Sequence, residues 1–240
     1  MRPAADIKVS HSRGSLSDAT GPWQDRAVKR MLAVIVLGVV VWLGIDLVGP
    51  RRVDIRRFDP DVVARLDTEM WRSYYDRKPA DLYFQLAELL RAQFHFPVAR
   101  SHAVAASAAK AAFVFKDGHN RAEYRRALPD LVRYYEAIRK VSATSFDVAK
   151  TAELELEWWI VHRQRATQPP GALEHALAVA AAELYRVPPE TMTVYARERT
   201  DAMEIRDTKA RAGGVTEEDW GRIEQHLRTS WRSLRDAVQP

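Results

Sequence analysis

Residues 59–77 read DPDVVARLDTEMWRSYYDR, and this stretch decides the fold class. Asp59 carries a side chain suited to a helix N-cap. Pro60 fits the first helical position, where no N–H partner is needed, and Asp61 sets negative charge against the positive end of the helix dipole. Behind them Val62, Val63, Leu66, Met70 and Tyr74 follow a 3.6-residue period, which gathers apolar side chains on one helical face.

The same signals return along the chain. Pro79 and Pro97 open helices in the manner of Pro60. Asn120 with Glu123, Thr144 with Asp147 and Thr216 with Asp219 have capping-box spacing. Pro188-Pro189 and Gly213-Gly214 break the chain ahead of later starts, and hairpin turns between alternating segments are missing. The expected helices are roughly 60–77, 79–95, 97–116, 120–140, 145–166, 171–187, 189–209 and 216–237, with Pro129 kinking or splitting the fourth. The fold class is all-α, a soluble bundle of about eight helices.

Two four-helix units, 59–140 and 145–237, show signs of internal duplication. Glu69-x-Trp71 returns as Glu157-x-Trp159, 88 positions later. Pro79, Leu82, Leu86, Phe94 and Pro97 return as Pro170, Leu173, Leu177, Tyr185 and Pro188 at an offset of 91. Tyr124, Leu131, Tyr135 and Ile138 return as Trp220, Leu227, Trp231 and Leu234 at an offset of 96. The offset grows only in loops and helix ends, where insertions are tolerated.

Upstream, residues 31–49 read MLAVIVLGVVVWLGIDLVG, with Asp46 as their single charge. At 1.5 Å per residue this run covers about 28 Å, close to the hydrocarbon thickness of a bilayer. It exceeds a signal-peptide core, and Asp46-Leu47-Val48-Gly49-Pro50 offers no small-residue cleavage site, so it reads as an uncleaved single-pass transmembrane helix. Asp46 lies four residues before Pro50 and is expected at the headgroup level. The chain then divides into a basic, disordered tail (1–30), the span (31–49), a basic juxtamembrane linker (50–58) and the helical domain (59–237). Arg13, Arg26, Lys29 and Arg30 on one flank against Arg51, Arg52, Arg56, Arg57 and Arg65 on the other give little charge contrast. Short flanks dominate orientation, which leans the domain to the extracytoplasmic side.

The net charge is +5 with a pI near 9.5, a mild excess over 240 residues that does not indicate nucleic-acid binding. The absence of cysteine excludes disulfides, thiolate catalysis and cysteine-held metals. No phosphate loop, Gly-x-Ser-x-Gly or His-Glu-x-x-His is present, and none of the histidines follows a Glu by three residues, as a di-iron bundle would require. No cofactor, catalytic residue or metal ligand is therefore expected.

Carboxylates and aromatics concentrate in two segments, 69–75 and 153–163. From these come the candidate ligand-binding residues Glu69, Trp71, Tyr75, Glu157, Trp159 and His162. Glu69 is expected to face inward with Val62, Leu66 and Ser73, and at least one of Glu153, Glu155 and Glu157 to be partly buried. Arginines pairing with these acids, Arg77 and Arg165 among them, are the structural alternative. Arg51, Arg52, Arg56 and Arg57 are candidate contacts for lipid headgroups. The Ala-rich run 103–112 is expected to cross the bundle centre, and Tyr134, Tyr135 and Trp231 to lie in the core. The leading expectation is a membrane-anchored interaction or scaffold protein, engaging the bilayer through 31–49 and a protein partner or a second copy of itself. The alternative is a membrane-tethered enzyme or small-ligand binder using the Glu/Trp/Tyr/His cluster. The Arg- and Ala-heavy composition suggests a bacterial source.

Overall fold

The computed structural model describes residues 22–239, with side chains from Val28 onward; the first 21 residues of the expected basic tail and Pro240 lie outside the described residues. Helix α1 runs from Pro22 to Val48. The helix thus starts nine residues ahead of the expected span, which shortens the expected disordered tail. Pro22 suits a helix start, and Gln24, Arg26, Ala27, Lys29 and Arg30 are strong helix formers that merge with the apolar run. Within α1, Val28–Val48 is 21 residues long with mean hydropathy 2.7 and is not buried, long and apolar enough to cross a membrane.

The chain divides into two compact units at Leu43/Gly44. The second contains α2 (Pro60–Tyr75), α3 (Pro79–Phe94), α4 (Val98–Lys116), the short α5 (Arg121–Tyr124), α6 (Leu128–Val141), α7 (Val148–Arg163), α8 (Ala172–Tyr185), α9 (Thr193–Arg211) and α10 (Glu217–Val238). The fold is all-α, and among the described residues there is no β-strand. Each of the eight long helices packs on its sequence neighbours and α10 returns to α2, which closes them into a ring around one hydrophobic core. The units 59–140 and 145–237 share that core.

Most starts arise as local chemistry dictates. Asp59 Oδ1 accepts the N–H groups of Asp61 and Val62 at 2.9 and 3.2 Å. Asn120 accepts from Glu123, and Thr216 with Asp219 forms a reciprocal capping box. Pro129 stands in the first turn of α6, after a single 3₁₀ turn at Arg125–Ala127, so the expected fourth helix is split. Two starts differ. Asp147 itself caps α7, because its side chain reaches Lys150 N–H while Thr144 is held by the Ser142 hydroxyl. Pro97 occupies the cap of α4, not its first turn, and has no side chain to offer the free N–H groups.

The segment 50–58 is not a free linker. Val53 N–H donates to Val141 O and Ala143 N–H to Val53 O, both at 2.8 Å. Ile55 and Phe58 are buried. Alternation in Val53-Asp54-Ile55 lets the apolar residues enter the core while the intervening aspartate stays at the surface. The Ala-rich run of α4 is a second correction: Ala103, Ala106 and Ala112 are exposed, so α4 is an ordinary ring helix. The alanine-lined helix inside is α8, where Ala178, Ala180, Ala181 and Ala182 are all buried. Small side chains there allow close approach of its neighbours.

Several contacts recur at the sequence offsets, with partners exchanged between the halves. Phe58 meets Trp231 edge-on at 5.9 Å, and Phe146 meets Tyr135 edge-on at 6.3 Å. Trp231 Nε1 donates to Asp67 Oδ2 at 2.9 Å, and Tyr135 OH donates to Glu155 Oε2 at 2.8 Å. Arg163 stacks on Phe115, and Arg206 on Tyr75. α3 and α8 both end in left-handed residues, His95 (φ 55°) and Arg186 (φ 56°), before the next proline turn.

Asp67 also takes a bidentate contact from Arg199 of α9, with Nη1 at 2.6 Å and Nη2 at 3.4 Å. It is fully buried and joins α2, α9 and α10. Breaking one partner of a buried pair costs about 3–5 kcal/mol, because the remaining charge is left without compensation. Asp67→Asn is expected to destabilise the bundle by about that amount in urea unfolding. Glu155→Gln, whose amide oxygen can still accept from Trp159 while its NH2 donates to the Tyr135 hydroxyl, should cost only about 1 kcal/mol.

Candidate functional site

The six candidate residues lie on two helices, Glu69, Trp71 and Tyr75 on α2 and Glu157, Trp159 and His162 on α7. Glu69 does not face inward. It is half-exposed and pairs with Arg65 one turn earlier at 2.6 Å. Leu66 and Ser73 are buried as expected, but Val62 is exposed and the inner face also takes in Val63, Ala64, Asp67 and Thr68, because it is centred on Asp67 and its buried partners. Glu157 is held by Arg121 of α5. A cleft of about 220 Å³ beside it is lined by Arg121, Arg125, Lys150 and Glu153, and His162 is not part of it.

The aromatic candidates are structural contacts. Arg199 sits 5.3 Å from the Trp71 ring. Trp159 Nε1 donates to Glu155 Oε1 at 3.0 Å and its ring packs edge-on to Phe115. Glu155 is thus the partly buried acid that the 153–157 segment requires.

Tyr75 and His162 do come together, through residues of α9 that sequence reading missed. Arg206 stacks on the Tyr75 ring, and the adjacent Asp207 meets Arg206 Nη1 at 2.8 Å, Arg165 Nη2 at 2.6 Å and His162 Nε2 at 3.4 Å. Of the expected arginine partners, Arg165 serves here, whereas Arg77 stands at the left-handed end of α2 (φ 58°). Burial pushes the Tyr75 hydroxyl up to about 12, so it stays protonated near neutral pH. For Asp207 burial acts upward, but the hydrogen bonds from His162 and Arg206 and the charge of Arg165 outweigh it and hold the carboxyl at about 2. No signal in 193–211 marks Asp207, since charged residues fall on every side of that helix.

In the segment after the apolar helix, the four candidate headgroup arginines separate. Arg51 and Arg52 are exposed, and Arg57 is exposed while pairing with Asp54 at 3.4 Å. Arg56 turns into the bundle, where its Nη2 donates to Tyr185 O at 2.7 Å. This removes it from the headgroup set, because α8 ends in a left-handed turn that leaves that carbonyl in need of a donor.

Asp46 has a defined task. Its carboxylate accepts the Ala99 N–H at the start of α4, supplying the cap that Pro97 lacks. Arg100 completes the clamp, with Nε 3.1 Å from Asp46 O and Nη2 2.7 Å from Gly49 O. The last turn of α1, residues 44–48, is thereby fastened to the bundle by charge-assisted hydrogen bonds.

A larger, open groove of about 520 Å³ between α4, α5 and α6 is lined by Lys110, Arg126 and Arg133 against Asp117, Glu123 and Asp130. Opposite charges balance there, and Asp130 already holds Lys110 and Arg133. Compared with protein families, curated proteins and solved structures, the chain matches none.

The Asp207 cluster sets a pH dependence. A carboxyl lowered from 3.8 to about 2 contributes stability in full above its unfolded value and loses it as pH falls through its folded value. Between about pH 4 and pH 2 the native protein should lose about 2 kcal/mol more unfolding free energy than Asp207→Asn, measured by urea titrations at each pH.

Proposed function

We propose that the protein is a single-pass membrane scaffold, holding a rigid eight-helix ring at the bilayer edge for contact with a protein partner. The observation that carries this reading is the clamp of Asp46 and Arg100, which ties residues 46–49, at the end of the apolar run, to the start of α4. Pairing of the candidate chemistry points the same way. Glu69, Glu157 and His162 are engaged with Arg65, Arg121 and Asp207, so these three candidates do not converge unpaired in a pocket.

The surface for the partner in this reading lies on α3 and α4. Phe84 is 62% exposed and packs with Tyr83 and His102, whose rings lie 5.6 and 5.8 Å from it; Val98 is exposed nearby in sequence on the same α4 helix. Exposed aromatic clusters of this kind suit protein contacts, where rigid rings bury area at small entropic cost. The exchanged contacts between the two halves support descent from a duplicated four-helix unit. Arg51 and Arg52 would rest on anionic headgroups.

A stoichiometric protein partner is expected on purification in mild detergent, retained in Glu157→Gln and lost in Phe84→Glu. Retention in Phe84→Glu, or loss of a bound small molecule in Glu157→Gln, would favour the ligand-binding reading. The short-flank argument supports an extracytoplasmic domain in this reading. Because the chain lacks cysteine, Ala112→Cys on the exposed face of α4 should react with an impermeant maleimide in intact cells. Reaction only after permeabilisation would place the ring in the cytoplasm.

A further inference from the structure

Three ligand-bearing side chains converge on the flank of the α9–α10 pair. Glu198 and Asp201 stand three residues apart on α9 and so project from one face, and His226 reaches across from α10. A carboxylate oxygen of each acid and a ring nitrogen of the histidine lie within 4.8 Å of one another. His226 Nδ1 is 2.9 Å from Glu198 Oε2. All three residues are half-buried.

Asp201 differs from the acids that tie the helices together. Asp61, Asp67, Asp207, Glu157 and Glu183 each meet an arginine or lysine. Asp201 makes no hydrogen bond or ion pair among the described residues. Arg197 Nη2 lies 3.2 Å from Glu198 Oε1, which leaves Oε2 turned to the histidine. Two carboxylates and an imidazole therefore face one point, with no cation on Asp201.

We propose that Glu198, Asp201 and His226 bind a divalent first-row transition cation of the Zn²⁺ class. One imidazole nitrogen with two carboxylate oxygens suits such an ion better than Mg²⁺ or Ca²⁺, which take oxygen ligands only. Three protein ligands leave at least one coordination position for water. The ion would join α9 to α10 and stabilise the packing of that pair. The Glu-x-x-His search along single helices passes over this set because its ligands come from two helices.

The test is calorimetric titration of the full chain, in mild detergent after chelator treatment, with Zn²⁺ alone and then Mg²⁺ alone. One equivalent of Zn²⁺ should bind, raise the melting temperature, and leave Mg²⁺ without a matching effect. His226→Ala and Asp201→Asn should each weaken Zn²⁺ binding by at least about tenfold and abolish the melting shift. Asp201→Asn removes no observed contact, so it decides the matter even where His226→Ala folds poorly, and far-UV circular dichroism verifies its fold. Absence of saturable Zn²⁺ binding, or binding unaltered in Asp201→Asn, overturns the proposal.

Discussion

The buried Asp67 carboxylate is the point on which ring closure depends. A ring of eight helices has one junction that chain connectivity does not supply, the return of α10 to α2. There Asp67 of α2 accepts Trp231 Nε1 from α10 and the Arg199 guanidinium from α9. Burial alone disfavours the Arg199 charge, yet the adjacent Asp67 more than offsets this and raises its affinity for the proton. An unpaired charge at this depth would cost several kcal/mol, so the three helices are held in one register. Apolar packing provides most of the stabilisation around it, and the ion pair selects the arrangement.

Glu155, 88 positions after Asp67, takes part in milder chemistry. Glu155 of α7 accepts from Tyr135 of α6 and Trp159, with neutral donors in place of a guanidinium. The α6–α7 junction is short in the chain, so less is required of the side chains that close it. Two related contacts thus differ in strength as their connectivity differs. The same reasoning covers Asp46. Pro97 leaves α4 without a side-chain cap, and an acid from the end of the apolar helix completes it.

The helices were legible in the sequence because their causes are local. Asp59, Asn120, Thr216 and Pro129 act on N–H groups within about one turn, so spacing along the chain is spacing in space. The misplaced details are equally physical. Val62 and Glu69 fall outside the inner face of α2 because Asp67, a polar residue, belongs to it beside Leu66 and Ser73. The alanines of α4 gave no reason to prefer it over α8 as the inner helix, since small side chains permit close approach without requiring it. Arg56 looked like a headgroup contact until the end of α8 presented a carbonyl to it.

By itself the sequence determined an apolar helix of membrane-crossing length, eight amphipathic helices with most of their ends, and the spacing of related positions in the two halves. Composition and periodicity suffice for these, because hydrophobic burial and capping depend on neighbours in the chain. Tertiary structure alone decided which charges meet. Asp67 with Arg199, Asp207 with His162 and Arg165, Asp46 with Ala99, and Glu198 with His226 join residues between 28 and 132 positions apart. Nothing local distinguishes those acids and bases from the many others on the same helices; only packing brings each pair within hydrogen-bonding or ion-pairing distance.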